Sequence, residues 1–301
     1  MQFMKFRIFL CFSFWSILQL GFAQNGTMQV VTKRIDKTFS YRDGYSLNIE
    51  GERAEVRVET WSKPEIKVQI VFTAKHGKKE QAEKDLEKMR SITNKEKNKI
   101  YLRNYLEIPE GSPEPQSQLV ANYVIMMPAE CPLYIKNNYG LIDAKDLMSS
   151  LKLNTRFSRI GLEDIIGDID INTSFGDLFA DNLDGNIKIV SRRSDMTLKH
   201  MRGRYDINAQ YGILNFFATE QLRDFNLKAD KSNVFIHTLQ PGAFSYNLSV
   251  QNGRVDYPNE LKFKLLDMKD TGIKKITFKP NKEYYPNVTI SITFGDLFIG
   301  K

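Results

Sequence analysis

The sequence predicts an all-β protein: a single-stranded parallel β-helix with coils of about 18–21 residues and one helix inserted in its N-terminal part. Three observations predict it. First, an aromatic–small–x–aliphatic motif returns about every 18 residues, as Tyr139-Gly140-Leu141-Ile142, Phe157-Ser158-Arg159-Ile160, Phe175-Gly176-Asp177-Leu178 and Tyr211-Gly212-Ile213-Leu214, with a weaker copy at Arg193-Ser194-Asp195-Met196. Second, other columns keep the same phase: Gly167, Gly185 and Gly203; Leu153, Ile171, Ile189 and Ile207; Leu147, Ile165, Leu183 and Met201. Third, apolar residues alternate within each unit, as in Ile169-Asp170-Ile171-Asn172-Thr173. A fixed period means one unit stacked on copies of itself, each unable to bury its apolar face alone. Alternation by two marks strands with one face inside. Hairpins would reverse direction and lose the common phase; one coil per unit keeps it, with equivalent residues stacked about 4.8 Å apart.

In chain order, residues 1–23 read as a secretory signal peptide: Lys5 and Arg7, the apolar run Ile8 to Leu20, then Gly21-Phe22-Ala23. A run this short reads as cleaved and not as a membrane span. Cys11 lies inside that run behind the large Leu10, a poor match to a lipoprotein site. The N-terminal β-rich region, 24–118, carries strands at Tyr45–Ile49, Ala54–Trp61, Glu65–Ile70 and Lys99–Leu102, separated by Asp43-Gly44, Glu50-Gly51 and Lys63-Pro64. Between the last two, Ala82, Leu86 and Met89 fall at helical spacing, which predicts a helix over 78–92 that covers one end of the stack. Pro109 to Pro115 reads as a loop, and Tyr123–Pro128 and Leu133–Lys136 lead into the first Tyr-Gly corner. The repeat region is 119–301. Its period drifts to about 20 at Lys231-Ser232-Asn233-Val234 and about 21 at Asn252-Gly253-Arg254-Val255, with a last copy at Phe294-Gly295-Asp296-Leu297. The stretch Asp267–Pro280 is expected to be a long loop or an irregular coil.

Composition narrows the function classes. The formal charge is +7, falling to about +5 without the signal peptide, and the basic residues alternate with apolar ones as on a solvated strand face. Export and the absence of a binding motif argue against nucleic acid. The mature chain keeps only Cys131, which excludes an intramolecular disulfide and reads as a small core residue. His76, His200 and His237 are isolated, so no metal site and no cofactor are expected. There is no nucleophile elbow and no phosphate-binding glycine loop.

The column Tyr139, Phe157, Phe175, Arg193 and Tyr211 is the best candidate for binding, since aromatic side chains in register stack on sugars or partner surfaces. Counting by twos from Ile171 places Phe175 inside, so a buried ladder is the stronger expectation, although Arg193 and Lys231 in the same column reach solvent. The alternative reading is a β-helix carbohydrate-active enzyme. Asp177 and Asp195 lie one period apart and would serve as a catalytic carboxylate pair, with Arg159 one coil earlier. Asp is also a common turn residue, which favours no catalytic residues at all.

The strand–Trp61-Ser62-Lys63-Pro64-Glu65–strand segment, the Ala82-to-Met89 helix, Val124-to-Pro128, and the Asn138-Tyr139-Gly140 and Ser174-Phe175-Gly176-Asp177 corners resemble a family of secreted bacterial proteins common in Bacteroidetes. That family is provisionally classed as adhesins with a domain of unknown function, related to the head domain of auto-transporter adhesins. The resemblance implies a β-helix at the cell envelope and supplies no catalytic residues. The expected function is therefore an exported, non-catalytic, adhesin-like scaffold in the periplasm or at the cell surface, with a glycan or envelope protein as partner and no transmembrane segment in the mature chain.

Overall fold

A computed structural model describes residues 28–259 and 261–300; the expected signal peptide over 1–23 and Cys11 lie outside them. Among the described residues the architecture is all-β with one α-helix, and the strands form a single open sheet. The elements run β1 (Gln29–Ser40), β2 (Ser46–Thr60), β3 (Glu65–His76), α1 (Lys79–Leu86), β4 (Met89–Glu96), β5 (Lys99–Leu106), β6 (Gln118–Met127), β7 (Leu133–Lys145), β8 (Leu151–Ser174), β9 (Leu178–Arg192), β10 (Met196–Gln210) and β11 (Ile213–Asp230). They continue as β12 (Asn233–His237), β13 (Ser245–Gln251), β14 (Val255–Asp256), β15 (Lys264–Met268), β16 (Ile273–Phe278), β17 (Asn287–Thr293) and β18 (Leu297–Ile299).

From β7 to β11 each element pairs in parallel with the next at an offset of 18 residues, extending to 20 within β10–β11: Ile135↔Leu153, Ile171↔Ile189, Ile189↔Ile207 and Ile207↔Leu227. The columns read from the sequence are the core. Leu153, Ile171, Ile189 and Ile207 are buried, as are Ile142, Ile160, Leu178, Met196 and Leu214, and Leu147, Ile165, Leu183 and Met201. Long strands such as β8 bend because single residues leave the extended conformation. Phe157 (φ 52°) and Asp164 (φ 52°) take the left-handed region within it, and Asp146, Asn182 and His200 do so in the Asp164 column.

The next column explains the small residue after each aromatic. It reads Gly140, Ser158, Gly176, Ser194, Gly212 and Ser232, one per rung, and the backbones approach closely there. A Cβ at Gly176 would collide with the Ser158 carbonyl oxygen. A serine fits on the alternate rungs because its hydroxyl binds backbone: Ser232 Oγ donates to the Asp230 carbonyl (3.0 Å) and accepts from the Gly212 N–H (3.2 Å).

In the N-terminal region β1, β3 and β6 pair antiparallel in sequence, and β6 and β5 join β2 in parallel, which in turn pairs with β7. Two predicted strands are the single element β2, kinked at Arg53 (φ 52°). The predicted helix over 78–92 is shorter. It ends at Leu86, and Met89 opens β4, which pairs antiparallel with β5. Ala82, Leu86 and Met89 are all buried, so the apolar spacing was real, but Met89 reaches the core from a strand. The helix packs on β1 and β3.

One expectation for the C-terminal part fails. The segment Asp267–Pro280 is not an irregular loop, since β15 and β16 form an antiparallel pair and β16 pairs antiparallel with β13. The last copy along the chain, at Phe294, stands between those at Lys231 and Asn252. Strand β17 lies between β11 and β13, pairing with both in parallel, and β18 lies between β12 and β14. The last segment of the chain thus fills an interior rung, because its Val288, Ile290 and Ile292 match the apolar phase of both neighbours.

Candidate functional site

The aromatic column stands at a corner and faces outward. Tyr139, Phe157, Phe175 and Tyr211 all have positive φ (52° to 63°), as do Arg193, Lys231 and Phe294. A left-handed residue costs about 1–2 kcal/mol for a non-glycine side chain and breaks the alternation by two. Thr173 points inside and is buried, yet Phe175 turns outward and is 36% exposed, with Tyr139 at 53%. The expectation of a buried ladder is therefore corrected: counting by twos fails at a residue whose φ is positive.

The rings stack along the column. Tyr139 and Phe157 lie 4.8 Å apart at 4°, and Phe157 and Phe175 lie 4.9 Å apart at 17°. Arg193 then bridges two rings, its guanidinium 5.4 Å from Phe175 and 5.7 Å from Tyr211. Lys231 continues the line, with Nζ 5.2 Å from the Tyr211 ring and donating to its hydroxyl at 3.2 Å. The phenol contact raises the Lys231 pKa. Neighbouring rings cover one another's faces, so the column offers edges, hydroxyls and cations to solvent.

Asp177 and Asp195 occupy adjacent rungs at exposed positions beside a depression of about 270 Å³ that Arg159, Phe179 and Thr197 also line. The two come together as the sequence suggested, but Asp195 is engaged: its Oδ1 accepts the backbone N–H of Ile213 on the following rung at 2.8 Å. The same brace recurs where Asp296 Oδ1 accepts the Arg254 N–H at 2.8 Å. That backbone hydrogen bond, with the Arg254 guanidinium, holds the Asp296 carboxyl below its ordinary range.

His200 Nδ1 lies 2.6 Å from Asp181, His237 stacks on Phe217 at 4.3 Å, and His76 Nδ1 accepts the Lys78 N–H. Among the described residues no three His, Cys, Asp or Glu side chains gather as metal ligands. Cys131 is a buried thiol pushed up to about 12 by its apolar surroundings.

Sequence reasoning missed a second set of outward rings. Phe179 is 45% exposed, Phe235 stacks on Phe298 at 4.7 Å, and the Lys199 ammonium lies 5.3 Å from Phe179 and 5.6 Å from Phe217. Leu178-Phe179-Ala180 carried the signal, since alternation with Leu178 and Ala180 inside leaves Phe179 outside.

The model of the Toastrack DUF4097 family matches residues 45–299. The chain belongs to this family. Among solved structures, the Toastrack chain is similar to a provisionally assigned cell adhesion protein from Clostridium sporogenes, with 12% identity, a TM-score of 0.28, and 90% of this chain and 99% of the other covered. It is similar to a provisionally assigned adhesin from Parabacteroides merdae, at 10% identity and a TM-score of 0.40, with 89% and 97% covered. A provisionally assigned lipid-binding protein from Parabacteroides distasonis gives the same four values. No curated protein matches the chain. None of its Toastrack helices is long and apolar enough to cross a membrane, among the described residues.

Proposed function

We propose that this Toastrack protein is an exported, non-catalytic, adhesin-like scaffold of the cell envelope that binds glycan along its outer surface. The chain would be released by cleavage of the 1–23 signal peptide and act in the periplasm or at the cell surface. Its parallel rungs are read as a single-stranded parallel β-helix over 119–301, with 24–118 closing one end. Support for that winding comes from the 18-residue parallel registers and the left-handed corners repeated on successive rungs.

One observation carries the binding reading: large rings at one-rung spacing are kept in water by a backbone conformation that works against them. Glycine would relieve the strain at Tyr139, Phe157, Phe175 and Tyr211, yet each of these exposed positions holds a ring. Aromatic and cationic side chains in rigid register suit a repeating polymer. The absence of catalysis is supported by Asp195, whose carboxylate braces backbone instead of standing free beside Asp177.

The test is a glycan-array screen of the mature chain with product release assayed in parallel. Retention of one glycan class with no new reducing ends is the expected result. Turnover that Asp177→Asn abolishes without unfolding the protein overturns the reading in favour of an enzyme.

A further inference from the structure

Two outward columns beside the aromatic corner carry cations and no carboxylates. The first runs Asn138, Arg156, Ser174, Arg192 and Gln210 on successive rungs. Thr155 and Thr173, joined at 2.9 Å, fix Arg156 beside Ser174. The second lies two residues back along each strand and runs Lys136, Asn154, Asn172, Val190 and Asn208. One column further the signs alternate instead, as Lys152, Asp170, Lys188 and Asp206, with Lys152 3.7 Å from Asp170. Charge on this strand face is matched there and unmatched next to the corner.

Arginines elsewhere on the sheet show the same contrast. Arg57 pairs with Asp143 (4.0 Å), Arg204 with Asp224 (3.4 Å) and Arg254 with Asp296 (3.0 Å). Among the described residues no carboxylate stands within ion-pair reach of Arg156, Arg192 or Arg193, all three exposed. Ring faces hold two of them: the Arg156 guanidinium lies 5.7 Å from Phe157, and Arg193 bridges Phe175 and Tyr211. A cation–π contact orients a guanidinium without neutralising it and leaves its edge N–H groups to other acceptors. Unmatched positive charge of this kind raises the local concentration of anions.

Ser174 lies between the two cations of its column, half-buried, and is the shortest side chain in it. Arg156 and Arg192 are two rungs apart, about 9.6 Å at ordinary strand spacing, so each reaches an anion above Ser174 by spanning one rung. Their planar forks suit the paired oxygens of an acidic group, at about 2.7–2.9 Å. Beside them the exposed amides of Asn154, Asn172 and Asn208 offer both donors and acceptors, which suits hydroxyls. Across the corner stands the exposed Asp177, which repels an anion from the opposite flank.

We infer that Arg156, Ser174 and Arg192 form an anion subsite for an acidic glycan. Its carboxylate or sulfate sits over Ser174, and its hydroxyls meet the asparagine row. The inference rests on the glycan-binding reading above and names the ligand class and its anchor.

The experiment is calorimetric titration of the mature chain at about 0.15 M salt, where diffuse attraction is screened. The probes are two matched pairs, hexagalacturonate with its methyl ester and sulfated maltohexaose with maltohexaose, and vesicles of phosphatidylglycerol. At least one acidic sugar should bind about tenfold or more tightly than its neutral counterpart, and the pair that shows this identifies the acidic group. Arg156→Gln and Arg192→Gln should each weaken that binding about fivefold or more with an unchanged melting temperature. Lys145→Gln, which removes a cation paired with Glu59 across the corner, should leave it unchanged. Equal weakening by Lys145→Gln, or binding that both arginine variants retain, overturns the subsite. A preference for the vesicles overturns the ligand class. Neutral sugars that bind as tightly as acidic ones overturn the inference and leave the glycan reading standing, whereas failure of every sugar here and on the array removes both proposals.

Discussion

At Phe157 two local forces oppose each other, and the corner is their compromise. Its φ of 52° is a conformation glycine takes freely, yet its ring stacks on Tyr139 and Phe175. Offset or parallel ring pairs contribute about 0.5–1.5 kcal/mol each, enough to offset left-handed strain of about 1–2 kcal/mol. Both Phe157→Ala and Phe157→Gly remove the stacking, but only glycine removes the strain. We expect the glycine variant to be the more stable by about 1 kcal/mol in urea unfolding, the reverse of the order in an ordinary strand, where glycine loses about 0.5–1 kcal/mol to alanine. Alanine proving the more stable would mean that the corner is unstrained.

At the scale of elements, buried polar groups hold neighbouring pieces in register. Thr155 and Thr173 occupy one inward column on adjacent rungs, and Thr155 Oγ1 donates to Thr173 Oγ1 at 2.9 Å. Replacing one by valine strands the other hydroxyl, at about 1–3 kcal/mol. Replacing both strands neither hydroxyl, so the double variant should lie within about 1 kcal/mol of the parent, and additive losses in a double-mutant cycle would refute this. Asp85 does similar work for α1. Its buried Oδ2 accepts from the Ser117 hydroxyl (2.7 Å) and from the backbone N–H groups of Gln116 and Ser117 (both 2.9 Å), tying the loop after β5 to the helix. Burial alone pushes this carboxyl up, but the hydrogen bonds from Ser117, Gln81 and Gln116 outweigh it and leave the pKa below its ordinary value. A folded pKa below the unfolded one stabilises the protein above the unfolded value, near 3.9, and that contribution is lost as pH falls through the lower folded pKa. Asp85→Asn should therefore cost about 1–3 kcal/mol at pH 7 and progressively less on acidification, read from urea midpoints at pH 7 and pH 3. An equal loss at both would show that the charge is irrelevant.

For the whole molecule, the interior position of β17 and β18 sets the stability. Their Val288, Ile290, Ile292, Leu297 and Ile299 are buried between rungs from earlier in the chain. At about 1.5–3 kcal/mol for each buried aliphatic side chain, removal of residues after 286 should cost several kcal/mol. It would also leave β11 and β13 with unpaired edges open to aggregation. Size-exclusion chromatography and thermal melting of such a truncation should show association and a melting temperature lower by ten degrees or more. A monomer with the parental melting temperature would show the segment to be dispensable.

The sequence by itself determined the period, the all-β class, the inward columns such as Leu153–Ile171–Ile189–Ile207, and the alternating glycine and serine at the corner. These are legible because each rung repeats the same local constraint, and a repeated constraint leaves a repeated residue. Tertiary structure alone decided which way the aromatic column faces, since a positive φ at Phe175 reverses the alternation and no residue type announces that choice. It alone placed Met89 at the start of a strand, because β5 was available to pair with it. It also put the end of the chain inside, since β17 fits equally against β11 and β13 and strand pairing is set by complementary faces, not by order along the chain.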